Sequence, residues 1–228
     1  MVMICRRHLA VMAALILVDL VATAAVYRQL PDPCPTHWNL QGQADAFGPP
    51  WKLAFVVPGV AAGVMVLLAI FPILGPFRQN FERFRVTYGR MCTLVVAVIL
   101  AFHAVFMADA LGRHIAVGRS LAIICGAMFL VMGNWLGKIR RNFYLGIRTP
   151  WTLVNERVWE KTHRAGGKLM VCIGVVSIGL GLFANEQVCT IGFFSVLGML
   201  VAWSLIYSFV AYRRLGHVDD VEGNRIAE

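Results

Sequence analysis

The chain has 228 residues, of which 59% are hydrophobic and 14% are charged, and its mean hydropathy is +0.70. This composition is too apolar for an ordinary soluble domain and indicates an integral membrane protein. The formal net charge of +9 is not expected to serve direct nucleic-acid binding. No basic module interleaved with aromatic residues lies outside the apolar segments.

Six apolar stretches are each long enough to cross about 30 Å of hydrocarbon. In lipid they must be helices, because every backbone N–H and C=O needs a partner within its own segment. The predicted fold is therefore all-α: a polytopic helical membrane protein with six transmembrane helices and a short amphipathic interfacial helix between spans 4 and 5. A cleaved signal peptide is the alternative for the first span, but Asp19 and the length of the run disfavour it. The predicted spans lie at residues 8–27, 53–75, 91–111, 120–136, 168–184 and 190–212.

The distribution of Lys and Arg predicts the orientation. Alternation of the six spans places 17 of the 21 Lys and Arg residues on the side that holds both termini. Positive charge is concentrated on the cytoplasmic side of membrane proteins. We therefore expect a multi-pass membrane protein with its N- and C-termini in the cytoplasm.

The outer loop, residues 28–52, is the first of two connections long enough to hold a functional site. Three alternating prolines predict an extended path. In one interpretation His37 and Asp45 form a recognition or pH-sensitive site for an extracellular ligand; two such ligands are too few for a metal. In the other, Trp38 and Trp51 anchor at the membrane interface and the polar residues satisfy turn hydrogen bonds.

The inner loop, residues 137–167, is the second connection long enough to hold a functional site. Thr149 with Pro150, or Thr152 with Asn155, is a start signal for a helix, which Gly166-Gly167 is expected to end before the fifth span. Such a helix, flanked by Lys and Arg, is predicted to lie flat on the anionic inner leaflet. A docking surface for a cytoplasmic partner is the alternative.

Two ionisable residues, Asp19 and His103, fall deep within predicted spans. An unpaired charge there costs at least about 2.5 kcal/mol. Both lie about 16–18 Å from the start of spans that run in the same direction. We therefore predict that they form a buried hydrogen-bonded pair. Asp109 lies near the outer end of its span and is expected to be solvated.

Both long loops carry a family resemblance. The signature of the SdpI family of membrane proteins resembles the run G-N-W-L-G-K-I-R-R-N-F-Y-L-G-I-R-T-P-W-T-L-V-N-E-R-V-W-E-K-T-H-R-A-G-G-K at residues 133–168. The run P-T-H-W-N-L-Q-G-Q-A-D-A-F-G, which begins at residue 35, resembles a domain of unknown function that often precedes it. The resemblance implies an N-terminal domain at 1–112 and an SdpI-like domain at 113–228, each with three spans.

The resemblance implies immunity against a secreted sporulation-delaying-type toxin peptide, and sequestration of a small cytoplasmic repressor at the membrane. The outer-loop positions that match the pattern are Pro35, His37, Trp38, Asn39, Gly42 and Asp45. Gly146, Thr162, Gly167 and Lys168 of the inner loop also match the pattern, and the matching positions there that would recognise a partner are Asn134, Lys138, Asn142, Arg148, Thr149, Pro150, Trp151, Glu156, Trp159, Lys161, His163 and Arg164. Arg141 departs from the pattern, where a proline is expected, and so does Cys34, where an aliphatic residue is expected.

The leading hypothesis is thus a membrane immunity or signalling protein whose partners are the lipid bilayer, a toxin peptide and a repressor. The alternative is a proton-coupled transporter or efflux component with Asp19 and His103 as proton carriers, although no two-fold repeat is detectable. No enzyme and no cofactor is expected, because the sequence supplies neither a nucleophile nor a full metal shell. Cys34 and Cys189, both predicted outside, form a disulfide or remain free thiols.

Overall fold

The computed structural model describes residues 4–74 and 78–226. For residues 74, 78, 79 and 216–226 it describes the backbone only. Within this part of the chain, six helices are long and apolar enough to cross a membrane, which confirms the predicted all-α polytopic fold. In chain order the helices are α1 (Arg6–Val26), α2 (Pro50–Leu74), α3 (Arg78–Phe81), α4 (Arg85–Ala110), α5 (Val117–Leu136), α6 (Pro150–Val154), α7 (Glu156–Phe183) and α8 (Glu186–Ile226).

An even number of crossings brings the first and last described residues to one end of the bundle, here called the terminal end. The opposite end is the hairpin end, after the strands described below. The candidate spans extend a few residues beyond the predicted ones at most ends, because a helix continues past the apolar segment that hydropathy detects. The fifth span is the exception, since α7 begins at Glu156 rather than at residue 168.

The predicted stop at Gly166-Gly167 is therefore wrong. Both glycines lie inside α7, where they are buried. A short helix does lie between spans 4 and 5, but it is α6, five residues long. Thr149 caps α6 in a reciprocal pair with Thr152, and the Asn155 side chain accepts a hydrogen bond from Val158 N to start α7.

Glycines bring α5 and α7 into close contact. A methyl group on Gly167 would lie 2.5 Å from Gly133 O, and one on Gly174 would lie 2.6 Å from Gly126 O. Both obstacles are backbone atoms, which cannot rotate away. Small residues allow helix backbones to approach closely in lipid. Gly166-Gly167 therefore contributes to helix packing and does not end the helix.

The N-terminal half packs around aromatic side chains of α3 and α4. Phe81, Phe84 and Tyr88 are buried and contact one another edge to face, and Tyr144 of the inner loop joins them. The Tyr88 hydroxyl donates to Leu68 O of α2 at 2.7 Å. This cluster fixes the inner loop on the N-terminal half. The division at residues 112/113 falls in the connection between α4 and α5 and remains a prediction.

The outer loop is a β-hairpin, which the sequence analysis did not predict. Strand β1 (Cys34–Trp38) pairs antiparallel with β2 (Ala44–Gly48), with register shifts around His37. Asn39 Oδ1 accepts from Gln41 N and Gln43 N, both at 3.0 Å. Gly42 has φ +73°, a left-handed conformation that favours glycine in tight turns. Of the three prolines behind the predicted extended path, only Pro35 lies in β1; Pro31 and Pro33 precede the strand.

Candidate functional site

A cavity of about 860 Å³ opens at the hairpin end. Five of the six predicted outer-loop residues line it, namely His37, Trp38, Asn39, Gly42 and Asp45; Pro35 does not. Four helices also line it, and their apolar contribution was not predicted: Leu53, Val56, Val57, Phe106, Val117, Leu121 and Phe194. An apolar cavity with a few polar groups at its rim is the usual form of a ligand site.

His37 and Asp45 form a polar pair across the hairpin. His37 Nδ1 lies 2.6 Å from Asp45 Oδ1, and both side chains are exposed. Among the described residues, no group of three His, Cys, Asp or Glu side chains is arranged to hold a metal ion. The pair therefore offers hydrogen bonds and charge at the cavity rim.

Trp38 attaches the hairpin to α4. Its indole Nε1 donates to Asp109 Oδ2 at 2.8 Å, and its ring stacks on Phe106 with 4.6 Å between ring centroids. The expectation that Asp109 is simply solvated is wrong: its side chain is half-buried and hydrogen-bonded to the hairpin. Trp51, by contrast, is 51% exposed, as expected for an interface anchor.

The hairpin turn rests on the first residue of α8. A Cβ on Gly42 would collide with the Glu186 carboxylate. Glu186 Oε1 in turn accepts from Gly118 N at 2.5 Å, near the start of α5. Sequence reasoning missed Glu186. An acidic residue that opens the last span was a signal, because carboxylates favour helix N-termini.

Asp19 of α1 and His103 of α4 lie together within two of the candidate membrane spans. His103 Nδ1 is 2.9 Å from both Asp19 carboxylate oxygens, and His103 Nε2 is 3.1 Å from Leu53 O. A carbonyl only accepts, so Nε2 carries a proton. One further proton then lies between Nδ1 and the carboxylate. The pair joins α1, α2 and α4 at Leu53, which also lines the cavity.

At the terminal end, the inner loop is built around His163. His163 Nε2 accepts from Ile147 N at 3.0 Å, and Nδ1 donates to Trp159 O at 2.8 Å. These roles define a neutral imidazole, which stacks on Trp159. A Cβ on Gly146 (φ +105°) would collide with His163 Nε2. Trp159 Nε1 donates to Ile139 O at 2.8 Å.

The end of the inner loop is held by α8. Trp151 Nε1 donates to Ser208 Oγ at 2.6 Å, and Thr149 Oγ1 donates to the same oxygen at 3.3 Å. Asn142 is fully buried and its Oδ1 accepts from two backbone N–H groups, those of Tyr144 and Leu145. These polar side chains thus shape the loop from within.

The predicted inner-loop residues therefore divide into two groups. Those that are buried or half-buried and bond within the chain are Asn142, Thr149, Trp151, Trp159 and His163. Those that are exposed are Asn134, Lys138, Arg148, Pro150, Glu156, Lys161 and Arg164. Arg148 is nonetheless bonded, since its Nη1 donates to Phe143 O at 2.6 Å. The second group is therefore the more accessible to a partner.

Comparison with known proteins agrees with this arrangement of two loops. A model of the SdpI/YfhL protein family matches residues 138–208, and a model of a domain of unknown function, DUF1648, matches residues 14–62. The chain is also 25% identical over 190 residues to the immunity protein SdpI of Bacillus subtilis (strain 168). These matches support assignment of the chain to the SdpI family of membrane proteins. The alignment covers 83% of the chain and 88% of that relative. No solved structure matches the chain.

Both departures from the SdpI-family pattern have a structural account. Arg141 stands where a proline is expected, and its Nη1 donates to Leu153 O and Val154 O at 3.2 Å each, which caps the end of α6. Cys34 is fully buried at the start of β1, and burial together with the nearby Asp32 carboxylate raises the pKa of its thiol. Cys34 and Cys189 are both free thiols in this structure.

Proposed function

We propose that this SdpI-family protein is an immunity protein of the bacterial plasma membrane that binds a secreted antimicrobial peptide in the cavity at the hairpin end. The observation that carries the proposal is the cavity itself, in which the outer-loop motif and four helices meet. Similarity to an immunity protein over 83% of the chain supports the general role. No catalytic step is part of the proposal.

The lining suggests how a peptide would be held. Apolar side chains of the peptide would enter between Val56, Leu121 and Phe194, since burial of apolar surface is the main source of affinity in such sites. Backbone or polar groups of the peptide would meet the exposed His37–Asp45 pair at the rim. A volume of about 860 Å³ accommodates several side chains, so the peptide would be bound through one segment.

Orientation is part of the same proposal. A secreted peptide reaches the cavity only if the hairpin end faces outward. The excess of Lys and Arg at the terminal end, 17 of 21 residues, supports this orientation because cytoplasmic loops carry positive charge. Both termini would then lie in the cytoplasm, where the exposed inner-loop residues could also hold a small repressor.

The test is survival of a sensitive bacterium exposed to a sporulation-delaying-type toxin peptide. Cells would express the wild-type chain, Leu121→Trp, Val175→Trp or no chain, at equal membrane abundance. Leu121→Trp fills the cavity, whereas Val175 is 59% exposed on α7 and serves as the matched control. Protection by the wild type and by Val175→Trp, lost in Leu121→Trp, supports the proposal. Equal protection by both variants would contradict peptide binding in the cavity.

A proton-coupled transporter is the second candidate, and the Asp19–His103 pair favours it. The pair holds one exchangeable proton, and Leu53 connects it to the cavity. Transport would require substrate flux that responds to a proton gradient in vesicles containing the protein. Flux that is independent of the gradient, and unchanged in His103→Gln, would exclude this candidate.

A further inference from the structure

A second concave site lies at the terminal end, between α7 and α8. It encloses about 430 Å³ and is here called the basic pocket. Its cationic side chains are Arg157, Lys161, Arg164 and Lys168. Their spacing of four, three and four residues places them on one face of α7, over about 16 Å of helix. Four cations on a helix face that lines a depression favour an anionic ligand.

The acidic member of the lining is engaged elsewhere. Glu160 pairs with Arg140 Nη1 of the inner loop. The aliphatic part of the Arg164 side chain packs against Gly137, where an added Cβ would lie 3.3 Å from Arg164 Cγ. The Arg164 stem therefore lies along the end of α5. The charge that the basic pocket presents to a ligand is strongly positive.

The level of the basic pocket along the helices indicates the kind of anion. From residue 169 to the end of α7 at Phe183 the sequence carries no charged side chain, so this stretch is the hydrocarbon-spanning part. The four cations lie within about three turns before it, beginning with the adjacent Lys168, which is the region of lipid head groups. The α8 wall supplies Tyr207, stacked on Trp203 at 4.6 Å, and Leu215. Aromatic residues of this kind are enriched at that depth.

We propose that the basic pocket binds a phosphate group, presented by the head group of an anionic phospholipid in the adjacent leaflet. Guanidinium groups bind phosphate oxygens in bidentate geometry and lysines add point charge. Basic pockets between transmembrane helices on the positively charged side hold such head groups. Ala165 and the apolar atoms of Tyr207 and Leu215 would contact the glycerol backbone. This inference does not depend on toxin binding at the hairpin end.

The test uses the purified full-length chain in detergent and native mass spectrometry with added phosphatidylglycerol. Phosphatidylcholine, which carries phosphate but no net charge, is the lipid control. The pocket variant is Lys161→Gln with Arg164→Gln. The matched control is Arg83→Gln with Lys138→Gln, since both are exposed cations of the terminal end outside the basic pocket. Unchanged thermal unfolding establishes that each variant is folded.

The wild type is expected to retain phosphatidylglycerol in preference to phosphatidylcholine. Each removed cation should weaken binding about fivefold, so the pocket variant should lose roughly thirtyfold in affinity. The matched control should bind like the wild type. Equal weakening in both double variants would overturn the proposal, because it would show attraction to surface charge in general. Displacement of the lipid by inorganic phosphate would overturn the lipid assignment and leave a site for soluble phosphate.

Discussion

The indole Nε1 of Trp38 donates a hydrogen bond to Asp109 Oδ2 at 2.8 Å, across 71 positions of the chain. This bond attaches the β-hairpin to α4 at the edge of the cavity. Phe106, one helical turn before Asp109, stacks on the same indole. The shape of the cavity therefore depends on a contact between an extramembrane loop and a transmembrane helix.

Trp38→Phe removes the donor and keeps an aromatic ring against Phe106. The free energy of unfolding should fall by about 1.5–3 kcal/mol, because the bond is made to a carboxylate that is half-buried. Trp51→Phe is the matched control at an exposed position and should change the free energy of unfolding by less than about 0.5 kcal/mol. Equilibrium unfolding in mild detergent measures both. Equal losses would show that the hairpin is not held through Asp109.

The Asp19–His103 pair should behave as one unit. His103→Leu leaves the Asp19 carboxylate without its partner inside a span, and should lower the free energy of unfolding by at least about 2.5 kcal/mol. Asp19→Leu with His103→Leu should cost less than the sum of the two single replacements, by about 1–3 kcal/mol. A double-mutant cycle by equilibrium unfolding measures this difference. Simple additivity would contradict direct pairing.

The contact between α5 and α7 predicts opposite signs for two glycine replacements on one helix. Gly167→Ala places a methyl group 2.5 Å from Gly133 O and should destabilise the protein by about 1–3 kcal/mol. Nothing lies within 4 Å of the corresponding position on Gly179. Gly179→Ala should therefore stabilise the protein by about 0.5–1 kcal/mol, through the lower backbone entropy of alanine. Thermal unfolding in detergent distinguishes these signs, and stabilisation by both replacements would refute the close approach.

The Cys34 thiol should react slowly with alkylating reagents. Because burial and Asp32 raise its pKa, less of the nucleophilic thiolate is present at any pH than for a free cysteine. The reference is a cysteine introduced by Phe47→Cys, since Phe47 is 57% exposed on β2. The alkylation rate of Cys34 should reach half its maximum at a higher pH than the alkylation rate of this reference cysteine. Peptide-level mass spectrometry over a pH series measures both rates. A shared pH profile would contradict the raised pKa.

Hydropathy sufficed to predict the six spans because each span must satisfy its own backbone in lipid. The same placement of spans predicted that Asp19 and His103 lie at a similar depth in the membrane. It could not predict the β-hairpin, because Pro35 lies within β1 and weakens the usual strand pattern. The turn from Asn39 to Gly42 was the available signal, since asparagine and glycine favour tight turns.

The predicted helix stop in α7 rested only on the local sequence preference of glycine. In the structure the contact of α7 with α5 overrides that preference. Gly166-Gly167 resembles a helix stop, yet Gly167, Gly174 and Gly181 recur every seven residues on the face that meets α5. Two of them match Gly133 and Gly126 on α5. Such a repeat in facing helices indicates close packing in lipid. The apolar wall of the cavity carried no comparable signal, because lipid-facing and cavity-facing side chains are equally apolar.

Peptide binding in the cavity is tested most directly by photo-crosslinking. A leucine-sized photoreactive side chain, which leaves the cavity open, would replace Leu121, which lines the cavity, or Val175, which is exposed on the outside of α7. Cells protected from the toxin peptide would be irradiated and the adducts identified by mass spectrometry. The proposed function predicts a peptide adduct at position 121 and none at position 175. Protected cells with no adduct at 121, or with equal adducts at both positions, would contradict it.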